Sequence, residues 1–310
     1  MLAIVCPGQG SQTPGFLTPW LELPGLKDQL QALSEQAGVD LITHGTTSDE
    51  ETIKDTAVAQ PLIVAAGLLA ATALKLDQLP ADAPVIYAGH SVGEITAAAL
   101  TGVLEPEAAM RFVRTRATGM ADASNATPTG MSAVLGGDAE DVLAAIAAAE
   151  LTPANVNGGG QIVAAGALDK LAAFAENPPA KTRVIPLKVA GAFHTDYMAS
   201  AQPALAELAQ QLSPQDPQAT LLSNFDGQPV SSGTAVVESL VAQVARPVRW
   251  DACMETLLEN SVNGILELTP AGTLVGLAKR GMRGVKGFAL KTPDDLSAAQ
   301  EFIAEHTAAH

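Results

Sequence analysis

The stretch Pro84-Val85-Ile86-Tyr87-Ala88-Gly89-His90-Ser91-Val92-Gly93 decides the fold, because it joins a strand to a helix through a tight corner. Its first five residues are a short apolar run typical of a buried strand, and residues 94–100 are predicted to be a helix. A serine between two glycines at such a corner is typical of a nucleophile elbow, whose strained turn exposes the hydroxyl. The following helix directs its positive end at that serine. A plain glycine-flanked turn is the alternative, but the flanking elements favour Ser91 as a nucleophile.

Composition limits the classes of partner. The chain has 310 residues, enough for a large core and more than one lobe, and it is 47% hydrophobic but only 4% aromatic. Its net charge is -16, from 33 acidic and 17 basic residues. This balance argues against nucleic acid or an anionic membrane as a general partner. An acidic ligand would need a local basic patch.

The cysteines and the N-terminus indicate a cellular compartment. Cys6 and Cys253 lie far apart in sequence, which predicts buried free thiols rather than a disulfide framework or a metal site. The first seven residues lack a basic region, and their apolar run is too short for a signal peptide. The longest apolar stretch, 62–74, is too short to span a bilayer and fits a core helix. We expect a soluble, cytoplasmic protein.

The first 127 residues alternate between strands and helices. A buried strand at 2–6 leads into the glycine-rich loop Pro7-Gly8-Gln9-Gly10-Ser11-Gln12, which lacks the lysine of a P-loop and the third glycine of a dinucleotide fingerprint. A long helix is predicted to start near Gln60-Pro61, and another runs from 106 to about 121. This alternation predicts an α/β fold with a parallel sheet wrapped by helices.

The pattern changes after residue 128. Strands and helices are predicted in the order β-α-β-β-α-β, at 131–135, 140–150, 153–157, 161–165, 168–176 and 183–189. That order is typical of a ferredoxin-like unit. We therefore expect a small ferredoxin-like subdomain at 128–189, inserted into a large subdomain made of 1–127 and 190–310. The α/β pattern resumes with helices at 198–212 and 235–244, a strand at 264–268 and a helix at 273–280. The site is expected in the cleft between the subdomains.

Five histidines could supply the base that a serine nucleophile needs. His306 and His310 sit in a polar C-terminal segment and His44 in a Gly/Thr-rich loop, so all three are expected to be exposed. His90 lies inside the elbow and is interpreted as structural. His194 remains, on the loop that follows the last strand of the small subdomain and faces the predicted cleft. Taken alone it could be an ordinary surface histidine; together with the elbow it is predicted to be the base.

Arg116 stands inside an apolar helix face. Residues of that face, at helical spacings from it, are Ala109, Phe112, Val113 and Met120. Arg111 and Arg114 point elsewhere and are interpreted as solvated charges. An inward-facing arginine is costly unless it meets an anion, and its planar fork suits a carboxylate. A structural ion pair with a buried acid is the alternative to a ligand carboxylate.

The motifs together resemble a known family over nearly the whole chain. They are Pro7-Gly8-Gln9-Gly10-Ser11-Gln12, Gln60-Pro61, Gly89-His90-Ser91-Val92-Gly93-Glu94, Arg116, Asn157 with Gly160-Gln161, Gly191-Ala192-Phe193-His194 and Pro247-Val248-Arg249-Trp250. In this order they are similar to the malonyl-CoA:acyl-carrier-protein transacylases of fatty acid and polyketide synthesis. The resemblance implies a hydrolase-like core with a mostly parallel sheet, plus an inserted ferredoxin-like subdomain.

The resemblance also implies roles for the central residues. Ser91 matches the nucleophile and His194 the general base, while Arg116 matches the residue that pairs with the malonyl carboxylate. The backbone N–H groups of Gln9 and Val92 match the oxyanion hole.

Three further positions carry implied roles. Asn157 matches a position near the site. The family commonly orients its histidine through a backbone carbonyl at the position of Arg249, where some members carry glutamine. Phe193 resembles the bulky residue of malonyl-selective members, where it would crowd an α-methyl group.

The implied chemistry is ping-pong transfer of malonate from malonyl-CoA, through an ester on the serine, to the phosphopantetheine thiol of a holo acyl carrier protein. It requires no metal or redox cofactor. A compact chain without an obvious interaction segment is expected to be a monomer. Carrier docking would need basic residues, which occur in two groups: Arg246, Arg249, Lys279, Arg280, Arg283 and Lys286 in the C-terminal part, and Lys181, Arg183 and Lys188 in the small subdomain.

Two other functions compete with this prediction. A serine esterase or thioesterase shares the elbow, but hydrolases of that fold place the histidine near the C-terminus and have no use for Arg116. A non-catalytic docking subunit would keep the surface without needing Ser91, His194 and Arg116 together.

Overall fold

A computed structural model describes residues 1–308, which build two five-stranded sheets. The first sheet is parallel throughout and has the strand order β10 (Lys286–Ala289), β9 (Gly264–Glu267), β1 (Leu2–Cys6), β2 (Val85–Gly89), β7 (Thr220–Leu221). The side chains of its central strand, β1, alternate between two hydrophobic cores on opposite faces of the sheet. Leu2, Ile4 and Cys6 pack into one core, and Ala3 and Val5 pack into the other. The parallel α/β architecture predicted from the sequence is confirmed.

Helices cover both faces of this sheet. They are α1 (Leu26–Ala37), α2 (Leu41–Thr46), α3 (Glu50–Lys54), α4 (Thr56–Leu74), α5 (Gly93–Leu100), α6 (Pro106–Ala126), α9 (Gln202–Ala209), α10 (Gly233–Gln243), α11 (Trp250–Glu259), α12 (Thr273–Gly281) and α13 (Leu296–Thr307). Short 3₁₀ turns occupy Thr18–Glu22, Leu76–Gln78, Asp196–Ala201 and Pro293–Asp295. The predicted helix 198–212 is thus a 3₁₀ turn followed by the shorter α9.

The second sheet has the strand order β6 (Thr182–Pro186), β3 (Thr129–Gly136), β5 (Gln161–Ala167), β4 (Thr152–Gly158), β8 (Val248–Arg249). Its first four strands are antiparallel, and helices α7 (Ala139–Ala148) and α8 (Leu168–Glu176) pack on it. β8 comes from the C-terminal part of the chain and pairs in parallel with β4. The sequence did not predict this fifth strand, because two residues carry no periodicity.

Helix α4 differs from its prediction. It begins at Thr56 rather than near Gln60-Pro61, because the Asp55 side chain caps it by accepting from the N–H of Ala57. Pro61 therefore lies inside the helix. With 19 residues, α4 is long and apolar enough by composition to cross a membrane, but 78% of its apolar window is buried within the protein, against α6 and α5.

Candidate active site

The elbow forms where β2 ends and α5 begins. Ser91 has φ +53°, a left-handed conformation that is strained for a residue with a side chain. A Cβ on Gly89 would lie 2.1 Å from the carbonyl carbon of Gly93, and one on Gly93 would lie 2.2 Å from the carbonyl oxygen of Cys6. Only glycine fits at either position, so the two glycines permit the turn that presents the Ser91 hydroxyl at the carboxyl edge of the sheet.

Ser91 and His194 form a hydrogen-bonded pair. Ser91 Oγ lies 2.7 Å from His194 Nε2, and His194 Nδ1 lies 2.8 Å from the backbone carbonyl oxygen of Gln243. The carbonyl can only accept, so Nδ1 carries the proton and Nε2 is free to accept one. Burial and the nearby Arg116 guanidinium lower the pKa of His194 from 6.5 to about 3. The imidazole is therefore neutral at ordinary pH, as a general base must be.

The expectation that the carbonyl of Arg249 orients the histidine is wrong. Arg249 lies in β8, and its side chain is exposed and forms a two-bond ion pair with Asp251 at 2.9 Å. The orienting carbonyl belongs to Gln243, the last residue of α10, six positions earlier. Carbonyl groups in the last turn of a helix lack intrahelical partners, which leaves this one available to the imidazole.

Arg116 is 1% exposed, and its guanidinium reaches the Ser91 hydroxyl from α6. Its Nη1 donates to Gln60 Oε1 at 2.7 Å, and its Nη2 donates to Gln243 Oε1 at 2.8 Å and to Ser91 Oγ at 3.3 Å. Burial lowers the pKa of Arg116 to about 10, so the guanidinium stays charged near neutral pH. Within residues 1–308 no carboxylate forms an ion pair with it. No direct ion pair of the kind considered as an alternative is therefore present in this part of the chain, and the buried Glu94 is separated from the guanidinium by the Gln243 amide.

Gln9 and Val92 flank the hydroxyl from two loops and line the cleft. Across the described chain, no hydrogen bond engages the backbone N–H of either residue. The Gln9 loop is held by its own side chain, which donates to the carbonyl of Lys54 at 3.2 Å, and by a 2.5 Å hydrogen bond between Ser11 and Thr273. Two fixed N–H groups beside a nucleophile are the composition of an oxyanion hole.

The small lobe supplies the other wall of the cleft. Asn157 on β4 faces the elbow, and its Oδ1 lies 2.8 Å from His90 Nε2, while its amide donates to Gln161 at 3.3 Å. His90, interpreted as structural, thus joins the elbow to the small lobe rather than touching Ser91. Phe193, which is buried, also lines the cleft next to His194.

Four polar residues of the site were given no role from the sequence. They are Gln60, Glu94, Asn224 and Gln243, all buried around Ser91 and Arg116. Gln60 and Glu94 belong to motifs that pointed to the site, so their position in those motifs was an available signal. Asn224 and Gln243 lie in segments with no such motif, and only the tertiary fold brings them to the elbow.

The predictions for the cysteines are confirmed, whereas those for the other histidines are not. Cys6 and Cys253 are buried free thiols, as predicted. His44 is half-buried and bonded to Ser48, whereas His306 is buried, contrary to expectation, because its ring packs against Gly264 of β9 as well as Phe302 of its own helix. His310 lies outside the described residues.

Comparisons with known proteins point in one direction. A family model described as the acyl transferase domain matches residues 3–296. The malonyl CoA-acyl carrier protein transacylase of Mycobacterium tuberculosis (strain ATCC 25618 / H37Rv) is 54% identical over 296 residues, covering 96% of this chain and 98% of that protein. The crystal structure of MCAT from Mycobacterium tuberculosis has a TM-score of 0.93 at 53% identity and covers 97% of this chain and 99% of that one. A malonyl-transacylase solved in complex with its holo type II PKS acyl-carrier protein has a TM-score of 0.87 at 29% identity, with coverages of 97% and 99%.

Proposed function

This chain belongs to the acyl transferase family, and we propose that it carries malonate from malonyl-CoA to the phosphopantetheine thiol of an acyl carrier protein as an ester on Ser91. It is an acyltransferase of the malonyl-CoA:acyl-carrier-protein type, like its relatives at 54% identity. One observation carries the proposed mechanism: Ser91 Oγ lies 2.7 Å from His194 Nε2 and 3.3 Å from Arg116 Nη2. A base and a carboxylate-binding group thus meet at one hydroxyl.

The first half-reaction forms the ester. The malonyl carboxylate binds the Arg116 guanidinium, replacing the weak contact that Nη2 makes with the hydroxyl. His194 Nε2 takes the Ser91 proton while Oγ attacks the thioester carbonyl. The N–H groups of Gln9 and Val92 stabilise the resulting oxyanion, by roughly 2.7–4 kcal/mol for each donor in comparable sites. The C–S bond then breaks, and the imidazolium returns its proton to the CoA sulfur.

The second half-reaction reverses these steps with a new thiol. The phosphopantetheine thiol gives its proton to His194 and attacks the ester carbonyl. The bond to Ser91 Oγ breaks, and the hydroxyl regains its proton from the imidazolium. Atoms and charges balance at each step without a metal or redox group, so we propose that no cofactor is used.

Initial-rate kinetics test this order of events. Malonyl-CoA and holo carrier protein are varied together, and a covalent intermediate predicts parallel lines in double-reciprocal plots. Lines that intersect would mean that both substrates bind before any bond changes, and the ester on Ser91 would be excluded as an obligatory intermediate.

The pH dependence follows from the environment of His194. Its pKa is lowered to about 3 in the folded protein, so the base stays neutral as the pH falls through 6.5. We therefore expect kcat/KM for malonyl-CoA to keep its plateau on the acid side down to about pH 5, with circular dichroism confirming the fold at each pH. An acid limb centred near 6.5 would show that the imidazole titrates as an exposed histidine does.

Phe193 is proposed to set the preference for an unbranched acyl group. The ring is 7% exposed and lines the cleft beside His194. Phe193→Ser is expected to raise the ratio of methylmalonyl to malonyl transfer by roughly tenfold, since one methyl group changes the transition-state binding free energy by about 1–3 kcal/mol. Competition between the two CoA esters measures the ratio, and thermal denaturation checks the variant. An unchanged ratio would remove Phe193 from the specificity argument.

Carrier-protein docking is proposed at the C-terminal half of α12. Thr273, Leu274 and Leu277 of this helix line the cleft, and Lys279 and Arg280 follow them on its last turn, without an ion pair in the described residues. Both side chains are exposed, and Arg280 lies beside Gly159 in the β4–β5 turn of the small lobe, so the pair forms a positive surface that suits an acidic partner.

Reversing both charges, Lys279→Glu with Arg280→Glu, is expected to raise KM for the carrier protein roughly tenfold and leave KM for malonyl-CoA unchanged. Lys27→Glu is the matched control, because Lys27 is also exposed but lies on α1, which packs against α4 and α6 and contributes no residue to the cleft lining. Equal effects on both substrates, or an equal effect of the control, would exclude this patch.

The remaining expectations from the sequence stay proposals. We propose that the small lobe at 128–189 is of the ferredoxin-like type, supported by the antiparallel order β6-β3-β5-β4, and that 1–127 and 190–310 form the hydrolase-like core. A monomer in the cytoplasm, without nucleic-acid or membrane partners, is likewise proposed. The acidic composition and the two free thiols support that assignment.

A further inference from the structure

Glu94 is a buried carboxylate that the mechanism above does not use. It lies in the first turn of α5, three residues after the nucleophile, and is 2% exposed. No ion pair to it exists among residues 1–308. A buried carboxylate without a direct cationic partner is costly, so its position directly beneath the reacting serine needs an explanation.

Both carboxylate oxygens of Glu94 accept hydrogen bonds from residues that are themselves bonded to the backbone of Ser91. Oε1 accepts the backbone N–H of Asn224 at 3.2 Å, and Oε2 accepts from the Gln243 side-chain amide at 2.5 Å. Asn224 Oδ1 accepts the Ser91 N–H at 2.7 Å, and Gln243 Nε2 reaches the Ser91 carbonyl at 3.2 Å. One carboxylate thus anchors the two residues whose side-chain amides fix the backbone of the elbow, Asn224 through its backbone N–H and Gln243 through its side chain.

The Gln243 amide also connects Glu94 to Arg116. Its Nε2 donates to Glu94 while its Oε1 accepts from Arg116 Nη2 at 2.8 Å. The amide dipole therefore points its negative end at the guanidinium and its positive end at the carboxylate. The two side chains also interact electrostatically, and each moves the pKa of the other toward its charged form.

A malonyl group on Arg116 would bring a second negative charge into this buried site. We propose that Glu94 is the resting counter-charge of Arg116, and that it takes up one proton from solvent when the malonyl carboxylate binds. The guanidinium then exchanges one negative partner for another, and the site stays neutral in both states. This inference rests on the proposed role of Arg116 and adds a proton to the binding step.

The surroundings of Glu94 support such a change. Burial raises its pKa to about 7, while its bonds to Asn224 and Gln243 and the charge of Arg116 act in the opposite direction. The other titratable groups around it are Cys253 on α11 and His194 beside Arg116. The pKa of the Cys253 thiol is raised by burial and that of His194 is lowered, so both are neutral and neither contributes a competing charge near pH 7.

The other elements packed against α5 add no charge there. Helix α4 carries no ionisable residue, and α10 offers only the Gln243 amide on this side. On β1, Cys6 interacts electrostatically with Glu267, and on β2, Tyr87 interacts with Cys6. Burial raises the pKa of both Cys6 and Tyr87, which keeps them neutral. Glu94 is therefore the group best placed to respond to a new anion on Arg116.

Because of this proton uptake, the binding affinity for malonyl-CoA is expected to depend on pH, whereas the affinity for a CoA ester with an uncharged acyl group is not. Above the pKa of Glu94, binding must protonate an ionised carboxylate, so the affinity for malonyl-CoA is expected to fall by up to about tenfold per pH unit. Below that pKa the proton is already present and the affinity is flat. Acetyl-CoA has no carboxylate, so its binding requires no such proton.

Titration calorimetry in two buffers of different ionisation enthalpy measures the uptake directly. The protein carries Ser91→Ala, so that malonyl-CoA binds without reacting, and acetyl-CoA serves as the reference for protons bound by the CoA phosphates. We expect malonyl-CoA to take up more than about half a proton beyond acetyl-CoA at pH 7.5, and less than about a fifth at pH 5.5. Equal uptake for the two esters at pH 7.5 would overturn the proposal.

A pair of variants locates the proton. In the Ser91→Ala background, Glu94→Gln should abolish the extra uptake. Glu267→Gln should retain it, because Glu267 is an equally buried carboxylate that binds backbone N–H groups at the start of α12. Uptake that persists in Glu94→Gln would assign the proton elsewhere and refute the inference. If Glu94→Gln fails to fold, the comparison of the two esters still decides.

The same titration separates this inference from the function it rests on. Tight malonyl-CoA binding without extra uptake would refute the role of Glu94 and leave the role of Arg116 intact. Equal affinity for malonyl-CoA and acetyl-CoA would refute the carboxylate-binding role of Arg116, and the inference would fail with it.

Discussion

Ser91→Ala is expected to lower malonyl transfer to holo acyl carrier protein by about a factor of 10⁶, the scale on which serine hydrolases lose kcat without their nucleophile. The hydroxyl forms the proposed ester, and within residues 1–308 it is the only side-chain hydrogen-bond partner of His194 Nε2. Initial rates with purified protein measure the loss. The fold should survive, because Asn224 and Gln243 hold the backbone of residue 91 and not its side chain.

His194→Ala provides the companion measurement. The two residues act as a pair, so the double variant should be no slower than the worse single variant by more than a few fold. Independent, multiplying losses would contradict a shared proton transfer. A Ser91→Ala protein that keeps more than about a hundredth of the activity would exclude Ser91 as the nucleophile.

Arg116→Ala is expected to lower kcat/KM for malonyl-CoA by roughly 30- to 5,000-fold, the equivalent of about 2–5 kcal/mol for removing one partner of a buried charge pair. Activity with acetyl-CoA should change far less, because acetyl has no carboxylate for the guanidinium to bind. Arg116→Lys should recover only part of the loss, since an ammonium group cannot copy the planar fork that contacts Gln60 and Gln243 together.

Arg111→Ala is the matched control for this change. Arg111 is on the same helix but exposed, and it bonds to Gln36. Its removal should leave both CoA esters unaffected. If Arg116→Ala reduced malonyl-CoA and acetyl-CoA activity by the same factor, the residue would be structural, and the preference for a diacid would need another source.

The sequence predicted those parts of the site that local patterns encode. The elbow was visible because a strand, two glycines and a helix occur within 17 residues, and β2 and α5 confirm it. Arg116 was visible because a charge interrupts an apolar helix face, and the burial of that face is confirmed. Both signals depend on periodicity and spacing over a single element.

The parts that the sequence missed depend on contacts between distant segments. The carbonyl that orients His194 was assigned to Arg249, yet it belongs to Gln243, because the end of α10 and not β8 reaches the imidazole. A backbone carbonyl leaves no side-chain signature, so only the packing of α10 reveals it. His306 was expected to be exposed for a similar reason: a polar segment gave no hint that α13 packs the imidazole against Gly264 of β9.

The proposed role of Arg116 requires a buried charged group that is held in place but not neutralised. Two amide oxygens, from Gln60 and Gln243, hold the guanidinium, and neither neutralises it as a carboxylate would. The nearest negative charge, on Glu94, is one amide away. The guanidinium is thus positioned and partly balanced, and its 3.3 Å contact with Ser91 is the one that we propose an incoming carboxylate replaces.

Intact-mass spectrometry tests the central claim most directly. The protein is incubated briefly with malonyl-CoA, its mass is measured, and holo acyl carrier protein is then added. A malonyl adduct on Ser91 that disappears from the protein as malonyl-carrier protein appears is the predicted result. An adduct that is lost to water without labelling the carrier would indicate a thioesterase, and the absence of any adduct would contradict the covalent mechanism.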